Sequence, residues 1–271
     1  MLANLTVRAW SARKRDKTIG REVEVAHQAT DAGNFNKLLI DKAAIKPIVT
    51  LSGQLRDLHY KMTLPWGDNG DRLLPSAMYF EYTKAMRDMR DTFHTAVKTF
   101  VANYPTYKQE ARKRLGTMYN AEDYPDPSHI TAKFEARVSF LPVPEAKDFR
   151  VDLGADEVAQ IREDIEKEVA LRQAEAVNDL WTRLKDVIEH AYNRLSDPEA
   201  IFRDSLIENI QSLCSIAAKL NITNDAKLEE VRKDAQHRLC GVPAQRLRDD
   251  KVLRKNVANA AADILKSFPV G

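Results

Sequence analysis

The sequence predicts a mainly α (α+β) fold, a long-helix hairpin or helical bundle carrying a small antiparallel β-sheet. Apolar residues recur at helical spacing over most of the 271 positions, only 9 Gly and 11 Pro interrupt them, and a few short stretches alternate apolar with polar residues instead. With 44% hydrophobic and 30% charged residues, the balance opposes disorder and an all-β fold. The length permits one or two domains with a substantial core.

The elements follow in order. Residues 5–10 alternate as a half-buried strand does. Over 34–63, Phe35, Leu38, Leu39, Ile45, Ile48, Leu51, Leu55 and Leu58 keep helical phase, with a kink or restart expected at Pro47. Residues 64–71 combine a proline, two glycines and three Asx residues, which marks a loop, and they lack the downstream Glu of a calcium-binding loop. A helix from about Pro75 to Asn103 shows the stripe Met78, Tyr82, Met86, Met89, Phe93, Val97 and Phe100. A second helix restarts at Pro105 and ends near Gly116, and the turn 123–128 leads into a short helical piece. Residues 134–140 and 149–153 read as strands that pair with the N-terminal one.

From 156 to 195 there is no Pro or Gly, and Val158, Ile161, Ile165, Val169, Val177, Leu180, Leu184, Val187, Ala191 and Leu195 hold helical phase. Such a helix is roughly 60 Å long, a length that packs as a hairpin or joins protomers. Asp197 and Pro198 read as N-cap and N1 of a returning helix whose apolar face includes Ile201, Ile207, Ile210, Leu213, Ala217 and Leu220. Further helices are expected from Thr223 to Leu239, from Pro243, and on to Ser267. This divides the chain into a mixed α/β N-terminal domain with basic patches, 1–153, and a helical domain, 154–271, whose long hairpin points to a homo-oligomer.

Net charge is only +2, but it is unevenly spread. Residues 1–21 hold six basic side chains against one acid, and 154–180 hold eight acids against three bases. The two cysteines, Cys214 and Cys240, imply neither a disulfide framework nor a zinc site. No basic-then-apolar leader opens the chain and nowhere do 18 uncharged apolar residues run together, so no membrane association and a cytoplasmic setting are expected. No Walker or G-x-G-x-x-G loop occurs, the six histidines are scattered, and the acids near 156–168 read as a solvated helix face. No catalytic residue, metal or cofactor is therefore expected, and an enzyme is the weakest reading.

Two basic patches adjoin aromatics. Arg8, Trp10, Arg13, Lys14, Arg15 and Lys17 form one, and Tyr104, Tyr107, Lys108, Arg112, Lys113 and Arg114 form the other. Single-stranded nucleic acid is held by such sets, because cations neutralise phosphates while aromatic faces stack unpaired bases. The bland alternative is that the cations are solvated faces and Trp10 and Tyr107 are core. A third cluster, Arg232, Lys233, Arg238, Arg246, Arg248, Lys251, Arg254 and Lys255, lacks aromatic partners.

The opening Leu5-Thr6-Val7-Arg8-Ala9-Trp10-Ser11 with its basic run resembles a family of uncharacterised tailed-bacteriophage and prophage proteins, a domain of unknown function. The segment 119–127 leading to Phe134-Glu135-Ala136-Arg137 and Pro142-Val143-Pro144 carries the rest of the resemblance. It implies expression in an infected bacterial cytoplasm, in the company of phage DNA-metabolism proteins or MoxR-like AAA ATPases, and supplies no catalytic residues. The expected function is a non-catalytic single-stranded-DNA-binding protein supporting phage DNA replication, recombination or transcription, with phage or host proteins of those processes as further partners. The alternative is a protein-interaction adaptor or regulator, for example of a MoxR-like AAA ATPase.

Overall fold

In the computed structural model, residues 1–67, 69–145 and 155–269 are described. The strands are β1 (Leu2–Arg8), β2 (Arg13–Arg15), β3 (Asn36–Leu38), β4 (Leu64–Pro65), β5 (Asp71–Leu73) and β6 (Glu135–Leu141). The helices are α1 (Lys17–Ala26), α2 (Lys42–Met62), α3 (Tyr79–Leu115), α4 (Pro127–Ile130), α5 (Ala155–Ser196), α6 (Ser205–Leu220), α7 (Ala226–Leu239), α8 (Ala244–Asp249) and α9 (Lys251–Leu265). The chain is thus mainly α with a small antiparallel sheet, as its periodicity predicts. The four-stranded sheet has the order β4-β5-β1-β6, and β2 and β3 form a separate two-stranded ribbon. The expected strand at 149–153 lies outside the described residues. Among the described residues no helix is long and apolar enough to cross a membrane.

Contacts divide the chain into two units built from interleaved segments. One comprises Met1–Asn4, Tyr60–Tyr82 and Ser139–Gly271; the other comprises Leu5–His59 and Thr83–Val138. The first is a helical bundle. In it α5 packs on α9 and α6, and α7 packs on α6 and α9. Leu180, Leu184, Ile188 and Ala191 of α5 are fully buried, as are Ile210, Cys214, Ala217 and Leu220 of α6 and Ala261 of α9. Their three- and four-residue spacing puts them on one stripe of each helix. The long hairpin is therefore part of a larger bundle. Beside it, β1 pairs with β5 (Leu2↔Leu73, Ala3↔Arg72) and β5 with β4 (Leu64↔Leu73), so the expected loop at 64–71 is a β-hairpin. Gly67, at φ +92, sits where a side chain would meet the Arg172 guanidinium, which donates to the Trp66 carbonyl at 3.2 Å.

Buried cations hold this unit at two points. Arg254 is 9% exposed, and its guanidinium donates to the carbonyls of Arg194, Leu195, Asp197, Pro198 and Ala200. These include the last orphan acceptors of α5, so the cation stands at the negative end of a 42-residue helix. The Phe202 ring lies 5.1 Å from the same guanidinium. Arg232 makes a double contact with Glu229 (2.7 and 2.8 Å) and reaches the Cys214 carbonyl at 3.4 Å.

Four local expectations change. The segment after α5 does not begin the returning helix at Asp197: Asp197 accepts from Glu199 N at 3.0 Å in a turn, α6 starts only at Ser205, and Ile201 is 89% exposed. Arg254 occupies the carbonyls of 197, 198 and 200, which holds this segment as a turn. Pro47 and Pro105 interrupt neither helix, since α2 and α3 run through them. Each lacks one amide bond, a loss of the order of 3 kcal/mol that tertiary packing overrides here. Buried Ile45 and Ile48 flank Pro47, and Tyr104 precedes Pro105 with no exposed surface. Residues 36–38, expected in a helix, are strand β3.

Replacing Arg254 with Ala leaves the buried Leu195 carbonyl and four part-buried carbonyls without this donor. It is expected to destabilise the bundle by about 2–4 kcal/mol, and Arg254→Lys, which cannot fan out to so many acceptors, to recover only part of this. The urea unfolding midpoint of each variant measures the loss.

Candidate nucleic-acid interface

The two basic patches lie in the unit formed by Leu5–His59 and Thr83–Val138, in a region organised around a buried lysine. Lys37, on β3, is 5% exposed. Its ammonium donates to Asp16 Oδ2 (3.1 Å) and the Met118 carbonyl (2.8 Å) and pairs with Asp123 Oδ2 (2.8 Å). Burial opposes the charge, but hydrogen bonds and Coulomb attraction from Asp123 and Asp16 outweigh it and push the lysine pKa up. Asp16 also caps α1, accepting from Ile19 N and Thr18 N at 3.2 Å each. The amide bond from Ile19, followed by the Lys37 contact, holds the Asp16 carboxyl below the usual aspartate range. One ammonium thus joins β3, the start of α1 and the turns at 118–123.

This lysine anchors the ribbon that carries the first basic patch. β2 pairs with β3 in the register Arg13↔Leu38, Lys14↔Lys37 and Arg15↔Asn36. Arg13, Lys14 and Arg15 are all exposed, because a two-stranded ribbon leaves β2 with an open edge. The second patch comes to the same place. Arg114, at the end of α3, donates to the Leu38 carbonyl at 2.7 Å, so the residue that pairs with Arg13 is also bonded to Arg114. Lys17, Arg112 and Lys113 are exposed as well. Among the described residues, Arg13, Lys14, Arg15, Lys17, Arg112 and Lys113 have no carboxylate within ion-pair distance. Arg8 differs: it is ion-paired with Glu135.

The aromatic residues expected beside these cations mostly face inward. Tyr104 has no exposed surface, and its hydroxyl donates to the Pro125 carbonyl at 3.0 Å, with burial pushing its pKa up to about 12. Trp10 packs edge-on against Tyr104 (6.0 Å) and Phe100 (6.5 Å), and Tyr107 lies 5.5 Å from Phe100. Lys108 sits over the Tyr104 and Tyr124 rings at 5.9 and 5.6 Å. These rings form a core whose edge-to-face contacts fix the end of α3. The third cluster is engaged in structure in part: besides Arg232 and Arg254, Arg238 pairs with Asp234 and Asp263, and Arg248 with Asp204, while Arg246, Lys251 and Lys255 are exposed. Burial pushes the thiol of Cys214 up to about 12 and that of Cys240 up to about 11. Among the described residues no group of three or more His, Cys, Asp or Glu is placed to hold a metal ion.

Sequence reasoning missed Lys37 and Phe35. Both fall in a stretch whose apolar spacing continues the helical phase of α2, and a three-residue strand is too short to show a period of its own. The turn-forming Asp31, Gly33 and Asn34 before Phe35 were the available signal. Comparison with protein-family models, curated proteins and solved structures finds no match to this chain.

The stability contributed by Asp16 is present above the ordinary aspartate pKa of about 3.9 and is lost as pH falls through its lowered folded value. Wild type is therefore expected to exceed Asp16→Asn in urea midpoint at pH 7, with the gap closing as pH falls below the ordinary aspartate range and through the lowered folded value. A gap that stays constant over that fall in pH contradicts the Asp16–Lys37 linkage.

Proposed function

We propose that this protein binds single-stranded DNA, chiefly through its phosphates, along the surface made by β2 and the end of α3. The observation that carries the reading is the Arg114 bond to Leu38, which brings the end of α3, where Arg112 and Lys113 are exposed, next to the ribbon that carries Arg13, Lys14 and Arg15. Two cationic segments about a hundred residues apart in sequence are thereby adjacent, whereas the chain as a whole is nearly neutral. Cations without carboxylate partners release counterions when they meet phosphates, and that release drives such binding. With Tyr104 buried and Trp10 and Tyr107 packed on Phe100, these rings serve to position the cations. Support of phage DNA replication, recombination or transcription is one of the two settings that the family resemblance suggests, the other being the company of a MoxR-like AAA ATPase.

A second reading, a protein-interaction adaptor, draws on the first half of α5. Over residues 156–175 nothing is buried, Val158, Ile161, Ile165 and Val169 make a half-buried apolar row, and Leu171 is 55% exposed. An amphipathic helix with that row can receive a partner helix.

Titration of labelled oligo-dT at several salt concentrations tests the first reading. With about five phosphates neutralised, log affinity is expected to fall against log salt with a slope near −3.5. Replacing Arg13, Lys14 and Arg15 together with Gln is expected to bring the slope to about −1.4. Absence of binding at low salt, or an unchanged slope in the triple variant, overturns the assignment.

A further inference from the structure

We infer that Phe35 is the residue that stacks on an unpaired base, in a cleft between α1 and the segment 33–35; this rests on the single-strand reading above. The cleft has a volume of about 870 Å³ and is lined by Arg15, Lys17, Arg21, Gly33 and Phe35, among others. That volume falls within the range of small-ligand sites and accommodates a nucleotide. Phe35 is 38% exposed, in contrast to the rings of the Trp10 and Tyr104 core. Its position is fixed from both sides. The Phe35 carbonyl accepts from Asp16 N at 2.9 Å, and the next residue, Asn36, pairs with Arg15. Gly33, which lines the cleft, has φ +153, a backbone that side chains rarely adopt.

The electrostatics of the cleft favour a base with its own phosphate over a polyphosphate. Its three cations face three acids, Asp16, Glu22 and Glu24. Asp16 is already satisfied by Lys37 and by the first amides of α1. Those amides are consequently not available to an anion, so any phosphate here is held by the side chains of Arg15, Lys17 or Arg21. Arg15 belongs both to the β2 edge and to the cleft, so a strand neutralised along β2 reaches Phe35 without leaving the surface. The near balance of charge makes stacking the main contribution of the cleft, and stacking depends little on salt.

The test compares oligo-dT with an abasic oligonucleotide of equal length, which keeps the phosphates and lacks the bases. Phe35→Ala is expected to weaken oligo-dT binding roughly 5- to 100-fold while leaving both the salt slope and the abasic affinity unchanged, and Phe35→Tyr to retain wild-type affinity. In Phe35→Trp, the added indole fluorescence is expected to quench on oligo-dT and not on the abasic strand. If wild type binds both strands and Phe35→Ala matches it on each, Phe35 is not the stacking residue and the phosphate surface stands. If Phe35→Ala weakens both strands equally, Phe35 has a structural role and the inference fails. If wild type binds neither strand at low salt, the single-strand reading falls and this inference with it.

Discussion

The basic surface depends on a lysine that is not part of it. A buried ammonium is tolerated only when its donors are met and its charge is offset. Lys37 meets both conditions with two carboxylates and one carbonyl drawn from segments about a hundred residues apart. The consequence for β2 is direct. In the ribbon Lys14 stands opposite Lys37, and like charges opposed across two strands repel. Asp16 and Asp123 remove that repulsion by neutralising Lys37 from within, so β2 can carry three consecutive exposed cations, Arg13 and Arg15 on one face and Lys14 on the other. The same Asp16 starts α1 and thereby sets one wall of the cleft at Phe35. Loss of the Lys37 contacts disturbs the register of the ribbon, the cap of α1 and the turn at 118–123 together.

Arg254 does for the bundle what Lys37 does for the ribbon. In each case a cation buried among oxygen acceptors holds irregular backbone that no repeating hydrogen-bond pattern could hold. The chemistry differs in kind. Lys37 offers a compact charge matched to two carboxylates, whereas Arg254 offers a planar fork that collects five carbonyls around the end of α5. Both therefore withdraw basic side chains from solvent, and a count of Lys and Arg overstates the charge available to a ligand. The C-terminal cluster shows the size of that difference, because Arg232, Arg238, Arg248 and Arg254 all have partners within the bundle.

The long-range order of the fold was legible in the sequence where periodicity was sustained. The stripe from Leu180 to Leu195 buries as its spacing requires, and α7 (Ala226–Leu239) falls within the helix expected from Thr223 to Leu239. Legibility failed where tertiary bonds override local preference. Pro105 reads as a helix boundary, yet the aromatic packing of Phe100, Tyr104 and Tyr107 extends across it. Asp197-Pro198 reads as a helix start, yet Arg254, nearly sixty positions later, holds those carbonyls in a turn. The interleaving of the two units, which rests on contacts between distant segments, has no local signature either. At the candidate site the cations Arg13, Lys14, Arg15, Arg112 and Lys113 could be named from sequence because charge is a property of the residue. Which aromatic ring faces solvent is a property of packing, and there Phe35 replaced Tyr104.

A surface of five or six cations on a nearly neutral protein has a particular binding character. On the proposed reading its affinity for phosphates would come from local neutralisation and so fall steeply with salt, while the acids elsewhere in the chain limit any long-range attraction. Charge alone does not distinguish single from double strands, since both present phosphates. Discrimination requires a group that reads what only the single strand exposes, the face of an unpaired base. On the proposed single-strand reading, placing that group beside the cationic ribbon, in a cleft whose own charges nearly cancel, separates the two tasks: the ribbon would supply salt-dependent affinity, and the ring preference for unpaired strands. Because Asp16 links the cleft wall to Lys37 and Lys37 to the ribbon, the spacing between ring and cations is set by one buried network and is preserved for as long as that network is intact.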